Sequence, residues 1–473
     1  MLFSSAQFVF LFLPVSLVGY FVMARFVDQR ASLWWLVVCS LFFYGYWKLE
    51  YLPLLIGSTA TNFVISTGIQ RCINTSSPAR GKGFVLLMLG ITLNLGLLGY
   101  FKYYAFLIET VNGLASSDLA VPELLLPLAI SFFTFQQITY LVDSYKGEAT
   151  RSSVLNYALF VTFFPQLIAG PIVHHKEMMP QFMRRATKVL RWKNLLAGCI
   201  IFSLGLFKKV VIADTFAVYA DAGFADHTQL TILDAWITTL SYTFQLYFDF
   251  SGYSDMAIGA ARMFGIRLPL NFFSPYKALS IQDFWRRWHI TLSRFLRDYV
   301  YIPLGGSRRG EMHVSANLMT TFLLGGLWHG AGWTFIIWGG IHGLGLVVGR
   351  GFAMTGWRLP TILKWALTFF FVHLAWVFFR AENTAQALEI LQTMFGLNPA
   401  ALEGPKHVVI TGASTAGKYL LLALIVVLAL PNTDQFARNI MPMWKTILAS
   451  ILFGIACIFM LISRSEVFLY FNF

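Results

Sequence analysis

The residues best suited to chemistry lie in Trp328-His329-Gly330, inside a stretch from Val314 to Gly349 that holds no Asp, Glu, Lys or Arg. A titratable side chain at membrane depth is costly to bury, so it is expected to face a cavity or pathway and to serve function. Neutral imidazole has an ordinary pKa of about 6.5 and can accept a proton at physiological pH. The chemistry that suits one such histidine is general-base activation of a hydroxyl nucleophile. Eight glycines between Gly325 and Gly345 surround it, together with Trp328, Trp333 and Trp338. Glycine lets backbones approach closely and lets a helix break, as a site inside a bundle requires.

A second constellation runs from Asp283 through Phe284-Trp285-Arg286-Arg287-Trp288-His289 to Arg294, Arg297 and Asp298. At helical spacing Ile281, Trp285, Trp288, Leu292, Phe295 and Tyr299 share one face, while Asp283, Arg286, Arg287, Arg294 and Arg297 take the other. The pattern predicts one amphipathic helix lying in the membrane interface, with His289 at the edge of its apolar face.

The other polar groups invite milder roles. Asp249 and Asp255, six residues apart, suit a proton relay or substrate positioning, but a structural role as caps or partners of Arg262 and Arg267 is favoured. His342 and His373 are expected to be hydrogen-bonded packing residues. Lys208-Lys209 end an apolar run, where lysines snorkel. His174-His175 is a poor metal pair if helical, because consecutive side chains diverge by about 100°. No metal site is expected. A serine-hydrolase reading fails for want of a Gly-x-Ser-x-Gly elbow.

The elements that must position these groups follow from composition. The 473-residue chain is 57% hydrophobic and 12% charged, about half the charge of an ordinary globular chain. Apolar runs of about 20 residues recur, each long enough for a hydrocarbon core of ~30 Å, and they do not alternate as barrel strands do. An all-α polytopic membrane protein is predicted, a single integral membrane domain over 1–473. Its spans are placed near 7–24, 32–47, 51–69, 83–106, 123–142, 195–213, 232–260, 314–349, 361–379, 416–430 and 446–462. The net charge of +13 is explained by Lys and Arg gathered in cytosolic loops rather than by nucleic-acid binding. Arg25 and Arg30 follow the first run, so its N-terminus is expected outside the cytosol. Glu109 to Glu123 is also expected outside, and the polar segment near 380–415, with Gly404-Pro405, outside the membrane. Cys39, Cys72, Cys199 and Cys457 are scattered, and no disulfide is expected.

Two segments resist an up-and-down count. Leu155 to Val173, with Phe164-Pro165 and Gly170-Pro171, lies between two basic, cytosolic-looking stretches, so it is expected to enter and leave on one face. The 36 charge-free residues of 314–349 would make a helix of ~54 Å, nearly twice the membrane core. A broken helix or tight hairpin is required, with His329 near the break.

As a set, several motifs closely resemble the membrane-bound O-acyltransferases, in particular the branch that O-acetylates alginate or cellulose. They are Asp283 to His289, Arg297-Asp298-Tyr299, Pro303-Leu304-Gly305-Gly306, and Gly325-Gly326-Leu327-Trp328-His329-Gly330. Leu246 to Asp255, Phe164 to Pro171, the Met1-Leu2-Phe3-Ser4-Ser5 opening and the Tyr470-Phe471-Asn472-Phe473 ending add to the likeness, which covers essentially the whole chain. It implies about eleven transmembrane helices, tilted around a thin centre with a tunnel, plus re-entrant and interfacial helices. His329 matches the family's essential histidine, and His289 matches one near it. Acetyl-CoA is the expected donor, a substrate rather than a bound cofactor, with Arg286, Arg287, Arg294, Arg297 and Lys277, joined by Arg308 and Arg309, toward its phosphates. Trp328, Trp288, Asp249 and Asp255 are expected to line or position. The likeness further implies a bacterial inner membrane, a polysaccharide acceptor, membrane lipids around the chain, and periplasmic SGNH-hydrolase-like acetyltransferase partners. Alginate is the favoured acceptor and cellulose the next. The alternatives are a transporter or scaffold of a secretion complex, and acylation of teichoic acid or peptidoglycan.

Overall fold

The computed structural model describes residues 1–73, 78–122, 124–149, 151–168, 170–308, 310–399, 408–438 and 442–462. Glu123, Arg309, Gly404-Pro405 and the final Tyr470-Phe471-Asn472-Phe473 fall outside them. Among the described residues the secondary structure is entirely helical. Seven helical stretches are long and apolar enough to cross a membrane, from Phe8–Phe26 to Met443–Ile462. The remaining expected spans are also helices, shorter or more polar. The chain forms two compact units, 1–202 with 254–269, and 203–253 with 270–473.

In the first unit α1 (Leu13–Phe26) packs on α2 (Gln29–Gly45), and α3 (Leu52–Ile73) and α4 (Pro78–Leu98) pack with α5 (Ile130–Lys146). Ile65, Ile69, Leu87 and Leu141 form the apolar contact of this second group. Lipid is as apolar as leucine, so polar side chains add the specificity. Asn94 donates to Asn62 at 2.6 Å, and Gln137 to the Ser58 hydroxyl at 3.1 Å. The segment expected to enter and leave on one face forms α6 (Val154–Thr162) and a single helical turn at Phe164–Leu167. At nine and four residues, neither can cross ~30 Å of hydrocarbon. Next come α7 (His175–Met183) and α8 (Trp192–Phe207). Helix α8 runs through a widened π-type turn at Lys208–Ala213 into α9 (Asp214–Ala225).

The longest helix, α10 (Ile232–Met263), starts in the second unit and ends in the first. Both Asp249 and Asp255 lie within it, so neither caps a helix end. Gly198 meets Gly259 so closely that a methyl on Gly198 would lie 2.6 Å from the Gly259 carbonyl oxygen.

The segment expected to be one amphipathic helix is interrupted. Helix α11 (Ile281–Trp285) and α12 (Ile290–Leu296) are separated by a turn, and a π-type turn follows at Arg297–Tyr301. The physical reason is visible in the backbone. The Phe273 N–H donates to the Arg287 carbonyl and the Ile290 N–H to the Asn271 carbonyl, so residues 271–273 take groups that a continuous helix would have used. His289 sits at the interruption with φ +42°.

The charge-free stretch folds as the required hairpin. Helix α13 (Glu311–His329) ends at the histidine, Gly330 is extended, and α14 (Trp333–Met354) returns alongside. A methyl on Gly339 would lie 2.3 Å from the Phe322 carbonyl oxygen, and one on Gly326 2.2 Å from that of Phe335. Helix α15 (Thr361–Arg380) packs on α14, and the described chain closes with α16 (Met443–Ile462). Replacing Gly339 with alanine should therefore force α13 and α14 apart at a cost of ~1–3 kcal/mol. Gly349→Ala, whose added methyl meets nothing within 4 Å, should not. Thermal melts in detergent check this: equal midpoints for the two variants would refute the close crossing.

Candidate active site

His329 is the last residue of α13, and the chain leaves it through Gly330 at φ −154°, ψ 150°. A side chain at 330 would collide with the Phe335 ring, 2.1 Å from the added carbon. That ring occupies the place beside the break. Trp328, Trp338 and Phe379 surround the imidazole edge-to-face, at centroid distances of 4.9, 5.0 and 5.2 Å. His329 is 2% exposed.

The positive φ of His289 turns its ring inward, and its exposure is zero. Its centroid lies 6.3 Å from that of His329, with planes at 62°. Phe250 of α10 packs edge-on against it at 4.8 Å. The Oδ1 of Asn271 accepts from the Thr291 backbone N–H at 3.3 Å and from its hydroxyl at 2.8 Å. A backbone N–H is always a donor, so that atom is an acceptor, and the His289 Nδ1 at 3.1 Å must carry the proton. Nε2 therefore holds the lone pair. Burial pushes this imidazole down to about 3, because a cation loses its hydration there, and the ring is neutral at physiological pH.

His342 extends the cluster. Trp285 Nε1–H donates to His342 Nδ1 at 3.2 Å, which places the His342 proton on Nε2. The Trp338 ring stands between the two histidines, 4.9 Å from His342 and 5.0 Å from His329. His373 is the packing residue expected: Nδ1 meets the Thr243 hydroxyl at 2.8 Å and Nε2 that of Thr239 at 3.4 Å.

The structure thus brings His329, His289, Trp328 and Trp288 into one unit, with Trp328 and Trp288 buried at 4% and 1% exposure. The basic residues are less uniform. Arg287 is held by Asp283 at 2.8 Å, Arg297 by Asp298 at 2.7 Å, and Lys277 donates to the Leu430 carbonyl at 2.9 Å. Arg286 is exposed and Arg294 half-buried. Asn271, Phe379 and the role of Trp338 went unforeseen; an asparagine between apolar residues after Pro269 was the available signal.

Lys209 does not snorkel. The π-type turn aims it inward, 3% exposed, where it pairs with Asp249 at 2.9 Å and Asp214 at 2.6 Å. Asp249 is thus engaged with a lysine inside the second unit, and Asp255 belongs to the first.

The chain belongs to the membrane-bound O-acyltransferase family, whose profile matches residues 18–385. It is a multi-pass membrane O-acyltransferase. It is 47% identical to the peptidoglycan O-acetyltransferase of Helicobacter pylori, over 100% of this chain and 98% of that protein. It is 42% identical to the probable alginate O-acetylase AlgI of Pseudomonas aeruginosa, over 92% of this chain and 82% of that one. A more distant similarity, 28% over 52% of this chain, is to the teichoic acid D-alanyltransferase of Bacillus subtilis.

The ion triad yields a prediction. Removing one partner of a buried pair leaves an uncompensated charge and costs ~3–5 kcal/mol. Lys209→Met should sharply reduce folded yield in detergent, and adding Asp249→Asn should restore part of it. A double variant no better than the single would show that the charges are not coupled.

Proposed function

We propose that this enzyme takes acetyl groups from cytosolic acetyl-CoA and delivers them across a bacterial inner membrane for O-acetylation of a cell-envelope polysaccharide. The observation that carries the proposal is the buried pair His329 and His289, set 6.3 Å apart in an aromatic enclosure at a helix break. His329 acts as the base. The acceptor hydroxyl attacks the thioester carbonyl, a C–O bond forms, and the C–S bond breaks. The hydroxyl proton passes to the imidazole and then to the departing CoA thiolate. His289, with its Nδ1 proton committed to Asn271, orients the acyl group or the base through Nε2.

Arg286 and Arg297, both exposed, are the best placed of the basic residues to meet CoA phosphates. Arg297 would exchange Asp298 for the ligand. Arg287 and Lys277 serve mainly to hold the turn between α11 and α12 and the segment before it. Acetyl reaches the glycan directly or through the serine of a periplasmic SGNH-hydrolase-like partner.

Peptidoglycan is the favoured acceptor, because the likeness to the Helicobacter pylori enzyme spans both chains end to end. Alginate is the second reading, supported by relatives at 40–42% identity. A strain lacking this gene, complemented with wild type or His329→Ala, tests both points. Acetate released by mild base is measured separately from purified peptidoglycan and from extracellular polysaccharide. Wild type should restore peptidoglycan acetate, and the variant should fall by about 10²–10⁴-fold. A folded His329→Ala protein with undiminished acetylation would remove the base. Acetate restored only in the extracellular polymer would transfer the reading to alginate.

A further inference from the structure

His174 and His175 follow Gly170-Pro171 in the first unit, outside everything used above. They were expected to diverge, and they converge. His174 is not helical: it caps α7 in an extended conformation (φ −96°, ψ 140°), and His175 is the first helical residue. That bend turns both rings to one side, with centroids 4.5 Å apart and planes at 32°. Their Nε2 atoms lie 2.9 and 3.0 Å from the same oxygen, Oδ2 of Asp143 near the end of α5. The three ligand atoms all fall within 4.8 Å of one another.

We propose that Asp143, His174 and His175 bind one divalent transition-metal ion, with zinc the best fit, and that the ion clamps the start of α7 to the end of α5. Two imidazoles and one carboxylate are a recurrent zinc donor set, whereas calcium and magnesium prefer oxygen alone. With zinc–ligand bonds of about 2.0–2.1 Å, tetrahedral vertices lie roughly 3.3 Å apart. The two N–O separations therefore need to open by only a few tenths of an ångström. Asp143 and His175 are buried, while the His174 side chain is 25% exposed, so the fourth vertex faces solvent and takes water. One carboxylate and two neutral rings leave a net charge of one unit on the complex, which the open side hydrates. The ion displaces one interaction. His174 Nδ1 accepts from the Lys176 backbone N–H at 3.3 Å, and coordination through Nε2 moves the proton to Nδ1. The exposed N–H then turns to water, as helix N-terminal groups commonly do.

The competing arrangement is a carboxylate that accepts one N–H from each ring and binds nothing. Metal uptake separates the two without reference to acyl transfer, so failure here leaves the acetylation reading standing. Tag-free protein in detergent is stripped with a chelator and titrated with Zn²⁺ against a chromophoric competitor. Cobalt substitution then reports geometry. Wild type should take up one equivalent and give the intense visible absorption of four-coordinate Co²⁺. His174→Ala, a partly exposed position whose folding is checked by thermal melt, should bind at least about 10-fold more weakly, and Asp143→Asn should do the same. Uptake by wild type no greater than by a His174→Ala/His175→Ala variant would mean an adventitious ion only. A weakly absorbing, six-coordinate cobalt spectrum would equally overturn the site.

Discussion

Hydrocarbon offers no hydrogen bonds to a broken helix, and the candidate site depends on how this chain answers that constraint. A helix break inside an apolar stretch frees backbone groups and is tolerated only where protein or a water-filled space covers it. Here the break falls between His329 and Trp333, and tryptophan and phenylalanine rings close around it. The glycines do two separate jobs. Gly326 and Gly339 let α13 and α14 touch backbone to backbone, which fixes the hairpin. Gly330 leaves room for the Phe335 ring, which covers the turn. A histidine at the end of α13 is therefore held by packing on several sides.

The same constraint explains how the chain handles its other buried polar groups. Several of them are anchored by a partner suited to their charge. Lys209 takes two carboxylates, Asn62 and Asn94 take each other, and His373 takes two threonine hydroxyls. The ionic cluster coincides with the π-type turn at Lys208–Ala213, where Lys209 is buried against Asp214 and Asp249. Such turns are tolerated when they re-aim a side chain.

Much of this was legible in advance, and the misses share one cause. Length and absence of charge dictated the break in 314–349, because no membrane is thick enough for one straight helix of that stretch. The same arithmetic located the spans, while the basic stretches on either side singled out the segment that holds α6 and Phe164–Leu167. Periodicity failed at 281–301, where an apolar stripe is consistent with a continuous helix yet the chain turns at His289. A left-handed conformation at a non-glycine residue has no local signature. It is imposed by hydrogen bonds from residues 271–273, distant in sequence and irregular in structure. The His174-His175 geometry was misjudged for the same reason, since a helical assumption was applied to a residue that caps the helix instead. Side-chain direction at element ends is set by partners, and one-dimensional patterns carry little of that information.

Those tertiary bonds also settle chemistry that distance alone leaves open. A neutral imidazole can accept a proton at one nitrogen only, and which one is decided by the atom facing the other. At His289 the decision lies with Asn271, whose oxygen is forced into an accepting role by the Thr291 backbone. At His342 it lies with Trp285, whose indole donates and so leaves the proton on the far nitrogen. The two rings therefore present opposite faces to their surroundings, a lone pair at one Nε2 and a proton at the other. The proposed attack on a thioester would need both kinds of group, an acceptor for the hydroxyl proton and donors for the charge that develops on the carbonyl oxygen. In the proposed reaction His329 takes the hydroxyl proton, and the fixed tautomers of His289 and His342 leave both of these neighbouring rings neutral. Neutral rings suit an interior where an added net charge would be costly.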